Sequence, residues 1–378
     1  MVMLFAITTA PVHAEPIVPT HDDEVIELLP TVAGDRGEAR RLRRQLVQRP
    51  ADAGLALDVA RRYLEQAHTL GDPRFAGLAM AALQPWSDAR TMPADVLLMK
   101  ATLQQYLHDF DASVASLQAL LARPGAPAQP QAWLTLATVR RVQGRYGESD
   151  EGCRQVGVAG SALHAQACLA ENAALRGDVA SARAALNRLR REAGVSAATR
   201  AWLTTTLAEL EQRAAEPAAA EAAFRAALAL QPDDYTTLAY ADFLLERRRP
   251  AEALALLKAR TRSDAVVLRL AIAGAQAKSA SAATDAAEMR ERIALANQRP
   301  DAKRFHGREQ AMFALLVDRQ ARLALDLARG NVAQQREPLD LLVLAQAARA
   351  SGDAAAIAEV RALLAATGLK DRRIEALL

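Results

Sequence analysis

One pattern of large apolar, small and turn residues returns along this chain at nearly constant intervals. Few folds accommodate that. The segment Trp133, Leu136, Ala137, Gly144, Tyr146, Ser149, Cys153 and Val156 returns as Gln166, Leu169, Ala170, Gly177, Val179, Ala182, Leu186 and Leu189. It returns again as Thr204, Leu207, Ala208, Ala215, Pro217, Ala220, Phe224 and Ala227, closed by Pro232. One interval before the first segment, the same positions hold Leu97, Lys100, Ala101, His108, Phe110, Ser113, Leu117 and Leu120. A unit of about 35 residues cannot cover its own apolar face, so neighbouring units stack and bury a continuous core.

The spacings read as paired helices. Leu136 and Ala137 fall on a first helix, where the small residue admits a second helix at close range. Gly144 ends that helix, because glycine takes the left-handed conformation of a helix C-terminus cheaply. Ser149 is expected at the crossing point on the second helix, with Cys153 and Val156 at i+4 and i+7 on the same seam. His108 stands where Gly144 does in the next unit, and Arg248-Arg249-Pro250 replaces the glycine turn further on. Asp264 reads as an N-cap opening a helix at Ala265 to Val267, with a partner helix over Asp285 to Ala296. Composition agrees with an all-α fold. The apolar content is largely Ala and Leu, aromatics make up 4%, and no stretch alternates with period two for long.

Trp133–Val156 resembles the tetratricopeptide motif: W-x-x-L-A, a Gly-x-Tyr turn, then S-x-x-x-C-x-x-V. Ala220, Phe224, Ala227 and Pro232 resemble the motif's second helix directly. The resemblance covers 95–260 as regular repeats. Degenerate hairpins flank it over 38–94, where Tyr63, Gly71, Phe75 and Leu83 imply a longer turn, and over 261–378. In the latter, Leu344, Ala345 and Gly352 restore the first-helix pattern, but Ile357 and Arg361 stand where a small and a large apolar residue are expected. The resemblance implies a right-handed α-solenoid whose first helices line a concave binding face. Pro124 to Pro130 reads as a loop between hairpins, since the repeat phase resumes after it.

The net charge is +3, from 47 basic and 44 acidic side chains. So even a balance predicts no nucleic-acid partner, and the local run Arg40, Arg41, Arg43 and Arg44 reads as a solvated helix face. Val2 to Ala10 is an apolar run of signal-peptide length, and Pro11-Val12-His13-Ala14 supplies a cleavage site after Ala14. Residues 15–37 then form an N-terminal extension. The expectation is a periplasmic protein with no membrane insertion of the mature chain, since no run reaches the roughly 18 apolar residues a bilayer span requires.

Cys153 and Cys168 are the only cysteines, and the repeat phase puts them on facing helices of adjacent hairpins. In an oxidising compartment they are expected to form a disulfide. The six histidines are scattered, and no nucleophile elbow, phosphate loop, metal-binding spacing or paired carboxylate occurs. No catalytic, cofactor-binding or metal site is expected, and the chain reads as a scaffold, not an enzyme. Counting from the packing seam puts Thr138 and Arg141, His164 and Glu171, Trp202, Glu209, Gln212 and Arg213, and Phe243, Glu246 and Arg247 on the concave face. Arg141, Trp202, Gln212, Arg213, Phe243 and Arg247 are the expected binding set, an aromatic and cationic groove for a protein or peptide segment. An assembly or export factor for envelope polysaccharide is the first alternative, and a cytosolic scaffold of the same repeats the second.

Overall fold

A computed structural model describes residues 36–123, 129–298 and 307–378. The signal-like segment 1–14, most of the 15–37 extension and most of the Pro124 to Pro130 loop lie outside the described residues. The described chain is helical throughout and contains no strand. After α1 (Arg36–Gln48) the described residues form nine helical hairpins. The first four are α2–α3 (Ala53–Leu70, Pro73–Ala82), α4–α5 (Ala94–Tyr106, Phe110–Leu121), α6–α7 (Pro130–Val142, Tyr146–Val158) and α8–α9 (Ala162–Leu175, Val179–Leu189). Next are α10–α11 (Ala197–Arg213, Pro217–Leu230), α12–α13 (Asp234–Glu246, Pro250–Leu257) and α14–α15 (Asp264–Ala277, Ala282–Asn297). The last two are α16–α17 (Gly307–Leu316, Ala321–Val332) and α18–α19 (Pro338–Ser351, Ala354–Thr367), followed by the short α20 (Arg372–Glu375). The two helices of each hairpin pack on each other and most hairpins on the next, so the architecture is an all-α solenoid of tetratricopeptide-like hairpins.

Every hairpin turns on one left-handed residue. Glycine supplies it at Gly71, Gly144, Gly177 and Gly352, whereas His108, Ala215, Arg248, Lys278 and Arg319 adopt it with φ of 53–60°. His108 and Arg248 thus hold the turn that the repeat phase assigns them. The helix crossings need small residues. Ser113 Oγ donates to the Ala101 carbonyl at 2.8 Å, which fixes the α4–α5 crossing. In α6–α7 Gly152 also lies where the helices come close: a Cβ on Gly152 would lie 2.9 Å from that of Ala137. Ser149 is buried and accepts a hydrogen bond from Asn172 Nδ2 of the following hairpin at 2.8 Å.

Three boundaries differ from the expected ones. The first hairpin has no longer turn, because α2 runs for 18 residues up to Gly71 and α3 opens at Pro73. Ser263, one residue before Asp264, caps α14 by accepting from the Val266 N–H. The partner helix α15 opens at Ala282, three residues before Asp285.

The array curls until it meets itself. A Cβ on Gly71, in the first turn, would lie 3.0 Å from Ser263 Cβ at the start of the seventh hairpin. At the third hairpin the Val142 carbonyl accepts from the Arg336 N–H at 2.6 Å, just before the ninth. At the fourth, the Leu175 carbonyl accepts from the Lys370 N–H at 2.8 Å. The first, third and fourth hairpins therefore meet the opposite edge of the coil about six hairpins later, and the concave face encloses a lumen.

The cysteines are paired as expected. Cys153 on α7 and Cys168 on α8 are joined by a disulfide, with Cα atoms 5.6 Å apart, and both are buried. Two expected outcomes follow. Reduction should lower unfolding stability by roughly 3 kcal/mol for a loop of this size, read as a fall in the urea midpoint. The turns should respond with opposite signs: Ala215→Gly removes left-handed strain and gains about 0.5–1 kcal/mol. Gly144→Ala should lose about 2 kcal/mol or more, because it adds that strain and sets a methyl 2.7 Å from Thr367 Cγ2.

Candidate functional site

The lumen is built from the first helices of successive hairpins, and its polar side chains mostly satisfy one another. Arg141 on α6 pairs with Glu171 on α8, Nη1 to Oε2 at 2.9 Å. Gln212 on α10 donates from Nε2 to Glu246 Oε2 of α12 at 2.7 Å. Arg373 of α20 reaches the same Glu246 at 3.0 Å, across 127 residues of sequence, and pairs with Asp371 at 2.6 Å. These contacts tie the walls together, helix to helix and wall to C-terminal segment.

Aromatic residues divide into open and closed. Trp202 on α10 is 38% exposed, and its ring stacks on His164 of α8 with centroids 5.8 Å apart. His164 is held in turn by the Ser161 hydroxyl, 2.8 Å from Nδ1. Tyr235, at the start of α12, is 65% exposed, and its hydroxyl donates to Glu209 Oε1 at 2.6 Å. Phe243 is 2% exposed, and its ring belongs to the core stack with Phe224 and Tyr240. It therefore offers no free ring to the groove, although its edge contributes to the wall of a cavity. Arg213 is half-buried, with an Nε that meets no acceptor, and Arg247 is exposed at the C-terminal cap of α12.

The expected set is therefore not one cluster. Arg141 is engaged with Glu171, Trp202 lies beside His164, and Gln212, Phe243 and Arg247 line the cavity near the hairpin turns. Sequence reasoning overlooked Tyr235, although it lies two residues after Asp233, whose carboxylate caps α12. It also overlooked Arg373 and the rest of the C-terminal segment. Leu369 and Ile374 are buried there in one cluster with Tyr146 and Leu175. No local pattern announces a contact between residues so far apart in sequence.

Enclosure shows in the electrostatics. Burial raises the Glu209 carboxyl above the ordinary carboxylate range, opposed by the charge of Arg213 and the Tyr235 hydrogen bond. Burial also pushes the Tyr146 phenol up to about 12. Among the described residues, no group of three or more His, Cys, Asp or Glu side chains is arranged to hold a metal ion. No described helix is long and apolar enough to cross a membrane.

A raised carboxyl holds its proton more tightly in the folded than in the unfolded state. Its ionisation therefore costs stability as pH rises above the unfolded value. Glu209→Gln keeps an acceptor for Tyr235 and removes that cost. The variant should unfold at higher urea than the parent at pH 8, and the two should converge below about pH 4.5.

No family model and no curated protein matches this chain. Several solved structures are similar to it. Pseudomonas aeruginosa pilF is 15% identical over 56% of this chain and 96% of its own, with a TM-score of 0.38. A tetratricopeptide repeat protein from Parabacteroides merdae is 14% identical over 67% and 98%, also at 0.38. Yeast Tom70 is 11% identical over 90% and 96%, at 0.37. The tetratricopeptide-like character of the hairpins is carried by this chain's own helix lengths, left-handed turns and small-residue crossings.

Proposed function

We propose that this protein is a periplasmic interaction scaffold that binds a protein or peptide segment in the lumen. The observation that carries the reading is the pair Trp202 and Tyr235. Two aromatic rings stand exposed on neighbouring first helices, α10 and α12, on a face whose charges are largely paired with one another. Exposed aromatic side chains with few rotatable bonds are favoured anchors for a partner. Around them Glu209, Arg213 and Glu171 supply hydrogen-bonding capacity of both signs, which suits a polypeptide.

Location in the periplasm is part of the same reading. It is supported by the signal-like segment ending at Ala14 and by the Cys153–Cys168 disulfide, a bond that persists in oxidising compartments.

The test is affinity capture from a cell-envelope fraction with partners identified by mass spectrometry. Trp202→Ala, Tyr235→Ala and Arg213→Gln together should reduce the captured partner at least tenfold, roughly the loss expected from removing one hot-spot residue. Phe243 is left intact, because truncating a buried ring would cost about 3–5 kcal/mol and confuse binding with unfolding. N-terminal sequencing of this protein recovered from the same envelope fraction should begin at Glu15. Partner retention by the triple variant would overturn the groove, and glycan binding without any captured protein would favour a role in polysaccharide assembly.

A further inference from the structure

At the level of the hairpin turns, where Ala215, Arg248 and Arg319 contribute, the lumen holds a cavity of about 450 Å³. Five consecutive first helices, α10, α12, α14, α16 and α18, contribute to it, and the C-terminal segment closes one side through Arg373 and Leu377. Its walls are mostly apolar, with Phe243, Ile272, Met312, Leu316, Leu342 and Val343 interrupted by glutamines such as Gln276 and Gln346. A cavity of this size with apolar walls and a few polar groups fits a small molecule and not a polypeptide.

The polar groups at this cavity are unequally engaged. Asp242 is paired through Oδ2 with Arg269 at 2.6 Å while its Oδ1, like Oε1 of Gln276, meets no donor, and Glu246 is paired with Arg373 at 3.0 Å. Arg247, Arg248 and Arg319 also line the cavity and are exposed, and among the described residues their guanidinium groups form no ion pair or hydrogen bond. They are not needed to cap the helix ends beside them. Backbone N–H groups do that: Arg247 to the Phe243 carbonyl at 3.0 Å, Arg249 to Leu244 at 2.9 Å, and Gln320 to Ala314 at 2.8 Å. The C-terminal dipoles of α12 and α16 offset part of the positive charge, since each end carries about half a unit against a full unit per arginine. The balance at the mouth remains positive.

The geometry points to a second binding site, for an amphiphilic carboxylate: an alkyl chain in the apolar cavity, its carboxylate held by Arg247, Arg248 and Arg319. The inference does not rest on the scaffold reading, because neither Trp202 nor Arg213 lines this cavity. Guanidinium groups bind carboxylates through paired, charge-assisted hydrogen bonds, and the alkyl chain gains by leaving water.

The probe is dodecanoate, titrated into delipidated full-length protein by calorimetry, with dodecyltrimethylammonium as the oppositely charged control. Saturable binding of one dodecanoate per chain is expected, and the cation should bind at least about tenfold more weakly. Arg247→Gln, Arg248→Gln and Arg319→Gln together, all at exposed positions, should weaken dodecanoate at least about tenfold, the loss of one or more charge-assisted hydrogen bonds. Gln346→Trp, at a partly exposed lining position, should block the cavity while leaving the helical circular dichroism unchanged. Absence of dodecanoate binding, equal affinity for the cation, or unaltered binding by either folded variant would overturn the site. Failure of the Trp202, Tyr235 and Arg213 variant to lose its partner would leave these outcomes unaffected, so the two proposals fail separately.

Discussion

The structure depends on the joint where the coil returns to itself. A solenoid whose units touch only their neighbours is held by local packing and bends freely along its length. Here the Val142 and Leu175 carbonyls, at the ends of α6 and α8, accept hydrogen bonds from Arg336 and Lys370 of the last hairpin and its tail. Those carbonyls would otherwise be unsatisfied helix ends. The joint also demands glycine: a side chain at Gly144 or Gly177 would meet Thr367 or Lys370 at 3.0 Å or less. Turns elsewhere accept histidine, alanine, lysine or arginine in the same backbone conformation. In these two turns glycine does more than relieve backbone strain, because its missing side chain leaves room for the distant segment.

Closing the coil changes what its inner face can do. An open concave groove would leave Arg141, Gln212 and Glu246 in water, where ion pairs and hydrogen bonds contribute little. In the enclosed lumen Arg141 pairs with Glu171, Gln212 and Arg373 both bond to Glu246, and burial raises the carboxyl of Glu209. What remains uncommitted is therefore informative. Trp202 and Tyr235 are the open rings of the upper lumen, and Arg247, Arg248 and Arg319 are the unengaged cations of the lower one. The two groups differ in chemistry, aromatic rings in the first and guanidinium groups in the second.

Much of this fold is legible in the sequence because tetratricopeptide-like hairpins are local objects. Trp133 to Val156 contains most of both helices and the turn of one unit, so periodicity alone places the turn at Gly144, between α6 and α7. His108 and Arg248 are recognisable as turn residues only because the phase on either side fixes their place. The crossing at Gly152 is harder to read, since three small residues, Ser149, Gly152 and Cys153, are all compatible with the seam. The candidate site is less legible still. Helical phase puts Phe243 and Trp202 on first helices, but whether the Phe243 ring faces ligand or core depends on Phe224, which comes from α11, and on Tyr240, one turn earlier on α12. Arg373 reaches the lumen, and Leu369 and Ile374 reach the core beside Tyr146 and Leu175, through superhelical curvature, a sum of small rotations over six hairpins that no short pattern encodes.

The disulfide gains its meaning from the same joint. Within one hairpin pair it would be an ordinary tether, closing a loop between α7 and α8. Those helices, however, belong to the third and fourth hairpins, the two whose first helices end in Val142 and Leu175. If the two hairpins slid against each other, the carbonyls would move out of register with Arg336 and Lys370. Gly144 and Gly177 would also move away from the residues they admit. Holding Cys153 to Cys168 fixes the spacing of both acceptors at once. The covalent bond thus lies where a local displacement would be transmitted to the closure of the whole coil. The third element at this place is Asn172, whose Nδ2 donates to Ser149 at 2.8 Å and to Asp150 at 2.9 Å. It bonds the same two helices beside the disulfide, so the register of these hairpins is set by covalent and polar contacts together.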